Sequence, residues 1–182
     1  MEFTPTKFKD AWLIKPKVFQ DNRGFFLESY SKKIFEEHGI GADFVQDNHS
    51  MSVNKGVLRG IHFQKPPHAQ AKLVRVVKGS VYDVIVDLRK DSTTFGQWEG
   101  YTLSAENFMM LFVPRGFGHS FCTLENSTEF LYKTDNLYAP DSDAGIIWND
   151  PTLAIDWPVK DPILSEKDGK LPTFASGGTA VF

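Results

Sequence analysis

The sequence predicts an all-β domain, a sandwich or barrel, and three observations carry that prediction. Short runs of β-branched and aromatic residues alternate with polar ones at the two-residue period of a strand. Gly, Pro, Asn and Asp punctuate those runs, at Gly79, Gly96, Pro114, Gly116, Asn126 and Pro140. One segment is the clearest helix candidate, and any helices are expected to be short and peripheral. The 182 residues suit a single domain spanning 1–182, and 41% hydrophobic with 14% aromatic residues is enough for a sizeable core.

Taken in order, "KVFQDNRGFFLESY" alternates apolar and polar residues and reads as an edge-type strand, a pairing hazard unless covered. "SKKIFEEHG" is the helix, with Ser31 as its cap, Ile34 and Phe35 towards the core and Gly39 at its end. "SVYDVIVDLRK" places Val81, Asp83, Ile85 and Asp87 on one face and Tyr82, Val84, Val86 and Leu88 on the other. "QWEGYTLS", "FMMLFVPRG", "HSFCTLE" and "TEFLYKTDNLY" are further strands. The tail, "DWPVKDPILSEKDGKLPTF", is rich in Pro and Lys and reads as an extended cover with one short turn.

Composition excludes several classes of function. The net charge of −3 comes without a basic tail, so nucleic acid is not the expected partner. Cys122 is the single cysteine, which rules out an intrachain disulfide and a cysteine metal cluster. No apolar stretch is long enough to span a bilayer, and the N-terminal residues lack a signal-peptide core, so the expectation is a soluble cytoplasmic protein without a membrane partner.

The run "VLRGIHFQKPPHAQAKLVRVVKG" poses the functional question, because Arg59, His62, Gln64 and Lys72 sit among residues that read as sheet core. "VPRGFGHSF" adds Pro114, Gly116 and His119 in the pattern P-x-G-x-x-H. That pattern resembles the second motif of the cupin superfamily, a small double-sheet β-barrel of the jelly-roll type. In the first cupin motif, two His and a Glu bind a metal; here Gln64 stands for the second His and Lys72 for the Glu. An ammonium repels a divalent cation, so the frame is kept and the metal cage is lost. A metal-dependent cupin is therefore the weaker reading.

A closer resemblance runs from about residue 16 to 168. "PKVFQDNRGFFLESY", "FVQDNHS", "VLRGIHFQ", "AQAKLVRVVKGSVYDVIVDLR", "LSAENFMMLFVPRGFGHSF", "EFLYKTDNLYAPDSDAGIIWNDP" and "LSEKD" follow one another as in the dTDP-4-dehydrorhamnose 3,5-epimerase family. The resemblance implies inversion at C3 and C5 of a dTDP-4-keto-6-deoxyhexose without metal or nucleotide cofactor. Loss of a proton beside a ketone gives an enolate, so such an enzyme needs a base, an acid on the opposite face, and positive charge at the oxyanion. The resemblance assigns these to His62, Tyr132 and Lys72, with Asp168 paired to the base. From the residues alone, Tyr132 would be a cross-strand aromatic, Lys72 a surface lysine, and Ser165-x-x-Asp168 a helix cap.

It further implies substrate contacts from Phe19, Arg23, Glu28, Gln46, Asp47, Asn48, Arg59, His119, Tyr138, Asp143 and Lys167, with Tyr138 and Phe19 against thymine. Asp143 departs from the Glu expected there. A homodimer is implied too, in which the N-terminal strand is exchanged and brings Arg23 and Glu28 to the neighbour's site. Strict alternation puts Arg59 and His62 on opposite faces of one strand, so a shared cavity calls either for a bulge or kink at Gly60 or for Arg59 to reach around an edge. A single-carbon epimerase, or a non-catalytic cupin that binds nucleotide sugars, remains as an alternative.

Overall fold

The computed structural model describes residues 1–175 and 182. Its strands are β1 (Glu2–Pro5), β2 (Trp12–Lys15), β3 (Val18–Asp21), β4 (Gly24–Leu27), β5 (Gln46–Ser52), β6 (Leu58–Gln64), β7 (Lys72–Lys78), β8 (Ser80–Asp87), β9 (Trp98–Ser104), β10 (Met110–Val113), β11 (Phe117–Thr123), β12 (Thr128–Thr134) and β13 (Asp143–Gly145). They form a six-stranded sheet in the order β1-β2-β10-β7-β12-β5 and a five-stranded sheet in the order β13-β6-β11-β8-β9, with the β3–β4 hairpin apart. This is the double-sheet, all-β cupin-type architecture that the sequence predicts.

The two sheets face each other across a core that draws on both. Val74, Val76, Leu111, Val113 and Phe130 come from the larger sheet, and Val81, Ile85, Leu103, Phe117 and Phe121 from the smaller. Phe121 and Phe130 meet as stacked rings with centroids 4.1 Å apart. Full burial of an aromatic of this size contributes about 1.5–3 kcal/mol, so this pair is a main tie between the sheets. The opposite face of β8 is covered as well: Val84 and Val86, with the partly buried Tyr82 and with Leu88 just beyond the strand, pack with Ile61, Phe63 and Ile146. A tight turn at Gly79 carries the chain from β7 in the larger sheet to β8 in the smaller; its φ of 75° suits glycine, and a Cβ there would lie 2.5 Å from Thr128 Oγ1.

The helix, α1 (Lys32–Glu37), begins at Ser31 and buries Phe35. The Ser31 side chain makes no capping hydrogen bond, contrary to the sequence reading. The short helix is closed instead at its far end, where the His38 and Gly39 N–H groups donate to Phe35 and Glu36.

Gly60 resolves the clash of parity on β6. In the pairing of β11 with β6, His119 opposes His62 and Phe121 opposes Arg59, so the single residue Ser120 faces both Gly60 and Ile61. That is a bulge. Gly60 has φ of 115°, and a Cβ there would lie 2.6 Å from the His119 carbonyl oxygen. Only glycine fits the approach.

Candidate active site

A cavity of about 450 Å³ is lined from both sheets and the tail, with Arg59, His62, Lys72, His119, Tyr132, Lys167 and Asp168 all on its wall. Each reaches it by a definable route. His62 and Arg59 come from β6 through the Gly60 bulge. Lys72 shares its face of β7 with Val74 and Val76, which belong to the interior. Tyr132 shares its face of β12 with Phe130 and packs on the same core. Apolar side chains of Leu58, Phe121, Phe130 and Ile163 complete the wall.

His62 Nε2 and Asp168 Oδ1 lie 2.5 Å apart. Burial pushes the Asp168 carboxyl up, but His62, Ser165 and the Gly60 N–H together hold it below the usual carboxylate range. The Ser165 hydroxyl accepts from the Asp168 N–H at 3.1 Å, so this segment does form the cap-like turn that the S-x-x-D spacing suggested, while the Asp168 side chain reaches His62. The stretch is laced to the start of β6 by Leu58 N–H donating to Ile163 O, at 3.0 Å, and Ile163 N–H to Gly56 O, at 2.8 Å.

Enclosure lowers the Lys72 ammonium to about 8, with Asp83 and then Asp143 drawing it upward. Burial raises the Tyr132 phenol, and the nearby Arg59 guanidinium opposes that rise. Arg59 itself reaches Ser52 Oγ at 3.4 Å and has no carboxylate partner among the described residues. A histidine–carboxylate pair, a phenol, an ammonium and a guanidinium without a carboxylate partner among the described residues thus share one apolar-walled chamber. Such a set can move protons beside a carbonyl and hold an anion.

Gln64, at the position of a cupin metal ligand, is turned into the loops: it donates to His68 O at 2.7 Å and Leu137 O at 3.1 Å and accepts from Ala139 N–H at 2.7 Å. With His62 committed to Asp168 and Lys72 cationic, the residues at the cupin ligand positions do not fit a divalent cation.

The other expected contacts lie further out. Gln46 and Asn48 bond to each other at 2.9 Å, and Asn48 opposes Tyr132 in the β5–β12 ladder. Asp47 falls on the other face of β5, paired with Lys133. Tyr138 is exposed and donates to Asp143 Oδ2 at 3.2 Å, and Lys167 also pairs with Asp143. Phe19 and Arg23 are on the separate hairpin, with Arg23 held by Asp21, and Glu28 follows it, exposed. Within one chain these three do not reach the cavity.

Sequence reasoning missed Asp83. It is fully buried on the interior face of β8, where both carboxylate oxygens accept from His119 Nε2, at 2.9 and 3.0 Å. The signal was an acidic residue in phase with Val81 and Ile85.

Two antiparallel sheets closed around a chamber lined by titratable side chains, with the metal-ligand positions given to other work, define a cupin-type barrel enzyme. Within that class the chain belongs to the dTDP-4-dehydrorhamnose 3,5-epimerase family, whose model matches residues 5–176. It is 53% identical over 169 residues to the dTDP-4-dehydrorhamnose 3,5-epimerase of Shigella flexneri, covering 92% of this chain and 93% of that protein. Among solved structures, the enzyme of that name from Bacillus anthracis, determined with TDP and PPi bound, is 56% identical with a TM-score of 0.93, over 94% of this chain and 98% of that one. A Legionella pneumophila epimerase in complex with dTDP-4-keto-L-rhamnose is 45% identical with a TM-score of 0.92, over 96% and 93% of the two chains.

Proposed function

We infer that this protein inverts C3 and C5 of dTDP-4-dehydro-6-deoxy-D-glucose to give dTDP-4-dehydro-L-rhamnose, in the route to dTDP-L-rhamnose. Besides family membership, the observation that carries the reading is the convergence of His62–Asp168, Lys72 and Tyr132 on one cavity. His62 removes the proton beside the C4 ketone, and Asp168 orients the imidazole and stabilises its protonated form. The Lys72 ammonium donates to the C4 oxygen as it becomes an enolate. Tyr132 returns a proton from the opposite face. The chemistry is complete with these side chains and calls on no cofactor.

Arg59 and Lys167 supply donors for the diphosphate and His119 presents Nδ1 to the substrate, while Gln46, Asn48, Tyr138 and Asp143 serve the nucleoside end. Phe19, Arg23 and Glu28 serve a neighbour's site in a homodimer. In support, Phe25 and Phe26 on the same hairpin are 58% and 70% exposed, more apolar surface than a solitary hairpin would leave in water. A cytoplasmic location fits a nucleotide-sugar substrate, and no helix among the described residues is long and apolar enough to cross a membrane.

Incubation with dTDP-4-keto-6-deoxyglucose in deuterated water, followed by NMR of the sugar, tests the reaction. Deuterium at both C3 and C5 is expected. Label at one carbon would make the protein a single-carbon epimerase, and no label would remove the catalytic reading.

A further inference from the structure

Beneath the cavity lies a second histidine–carboxylate pair to which the reaction above gives no proton-transfer step. Asp83 sits mid-strand in β8, wholly enclosed among core residues, and grips His119 Nε2 with both oxygens. Burial pushes its carboxyl up, and His119 and Lys72 draw it down. A carboxylate in an apolar interior is costly even when paired, and a well-packed apolar residue usually serves stability as well or better. Stability therefore does not account for Asp83.

Position does. His119 lines the cavity directly across the ladder from His62, and with Nε2 taken, Nδ1 is its remaining polar atom. The Lys72 ammonium, on the opposite sheet, donates to no described residue, and Asp83 is the leading carboxylate acting on it. The other charged or titratable groups around that ammonium are His62 and Arg59 on β6, Tyr132 on β12, Asp143 on β13, and Lys167 and Asp168 on the tail. Arg59 and Lys167 are cations and oppose a further positive charge. Asp168 is engaged by His62, and Asp143 by Lys167.

We propose that Asp83 is a positioning residue for the epimerisation: it fixes the His119 ring with Nε2 inward and Nδ1 left for the substrate, and it places a buried negative charge on the sheet that Lys72 faces across the cavity. The proposal rests on the epimerase reading. Asp83's negative charge raises the pH at which Lys72 loses its proton, so removing that charge brings the loss to lower pH.

The test is Asp83→Asn, which keeps shape and removes charge, with kcat and KM measured between about pH 6 and 10. Expected are a fall in kcat of at least about tenfold, a KM within about threefold of the parent, and an alkaline limb displaced downward by about one pH unit. Competitive acylation of Lys72, read by mass spectrometry across the same pH range, should show the same displacement without reference to turnover. If Asp83→Asn does not fold, Asp83→Glu keeps the charge on a longer arm; its limb should stay with the parent while kcat falls several-fold. A limb and Lys72 acylation profile unchanged in Asp83→Asn, or a limb displaced equally in Asp83→Glu, overturns the proposal. A parent protein that neither turns over nor exchanges protons refutes the epimerase reading instead, and the acylation profiles still decide whether Asp83 sets the charge of Lys72.

Discussion

His62 and Asp168 are separated by 106 residues of chain, yet the imidazole Nε2 and a carboxylate oxygen meet at 2.5 Å. The meeting depends on an irregular segment with little secondary structure of its own, held to the strand that carries His62 by the backbone bonds of Ile163. The tail is thus part of the site's construction.

Asp168→Asn should lower turnover about 10- to 100-fold, because the amide can hold the ring but cannot stabilise its cation. The same substitution should change acid stability. Asp168 is depressed in the folded state, so its contribution is present above the unfolded carboxylate value of about 3.9 and is lost as pH falls through the lower folded value. Melting temperature followed from neutral to strongly acidic pH should therefore fall less steeply in Asp168→Asn than in the parent. Parallel curves would mean that the pair adds nothing to folding.

His62→Asn should abolish both turnover and exchange of the substrate's C3 and C5 protons with solvent. Tyr132→Phe keeps the ring in its place on β12 and removes the donor. It should reduce inversion far more than exchange, since a proton abstracted by His62 can return on the same face. Deuterium uptake measured beside product formation checks this, and equal loss of both in Tyr132→Phe would show that the two roles are not divided so.

Chelators should leave turnover intact, because Gln64 is spent on three loop contacts and Lys72 stands where a carboxylate ligand would be needed. Loss of activity on chelation, restored by stoichiometric iron, zinc or nickel, would contradict the donor set.

Mixing Arg23→Ala with His62→Ala subunits after dissociation should restore activity if each site draws Arg23 from its neighbour. Random pairing makes about half the dimers hybrid, each with one intact and one doubly damaged site, so about a quarter of all sites should recover. Hybrid dimers confirmed by mass spectrometry without recovery would place Arg23 outside the neighbour's site.

Much of the barrel was legible in the sequence because β7, β8, β11 and β12 alternate or run apolar over seven or eight residues. β1 and β2 were not, since "EFTP" and "WLIK" are four-residue strands whose existence depends on pairing with each other and with β10. Periodicity gave the face on which Asp83 lies but not that both faces of β8 are covered, so its burial went unread. Lys72 and Tyr132 could be placed only by resemblance. A lysine or tyrosine in a strand is ordinarily surface or packing, and nothing local distinguishes these two. Side-chain parity, by contrast, exposed the conflict between Arg59 and His62 and offered a break at Gly60 as one of two ways out, the other being Arg59 reaching around an edge; the bulge is the one the fold uses.

That break has a practical reach for anyone altering the enzyme's selectivity. A regular strand offers a ligand every second side chain, so a mutagenesis library would sample positions of one parity. On β6 the two polar residues that line the cavity, Arg59 and His62, are three apart, and a library laid out from Arg59 by the usual rule would vary core-packing Ile61 and Phe63 in place of His62. Recombination with a relative would meet the same constraint: a crossover that replaced Gly60 by any larger residue would swing one of the two groups out of the chamber while leaving both in the sequence.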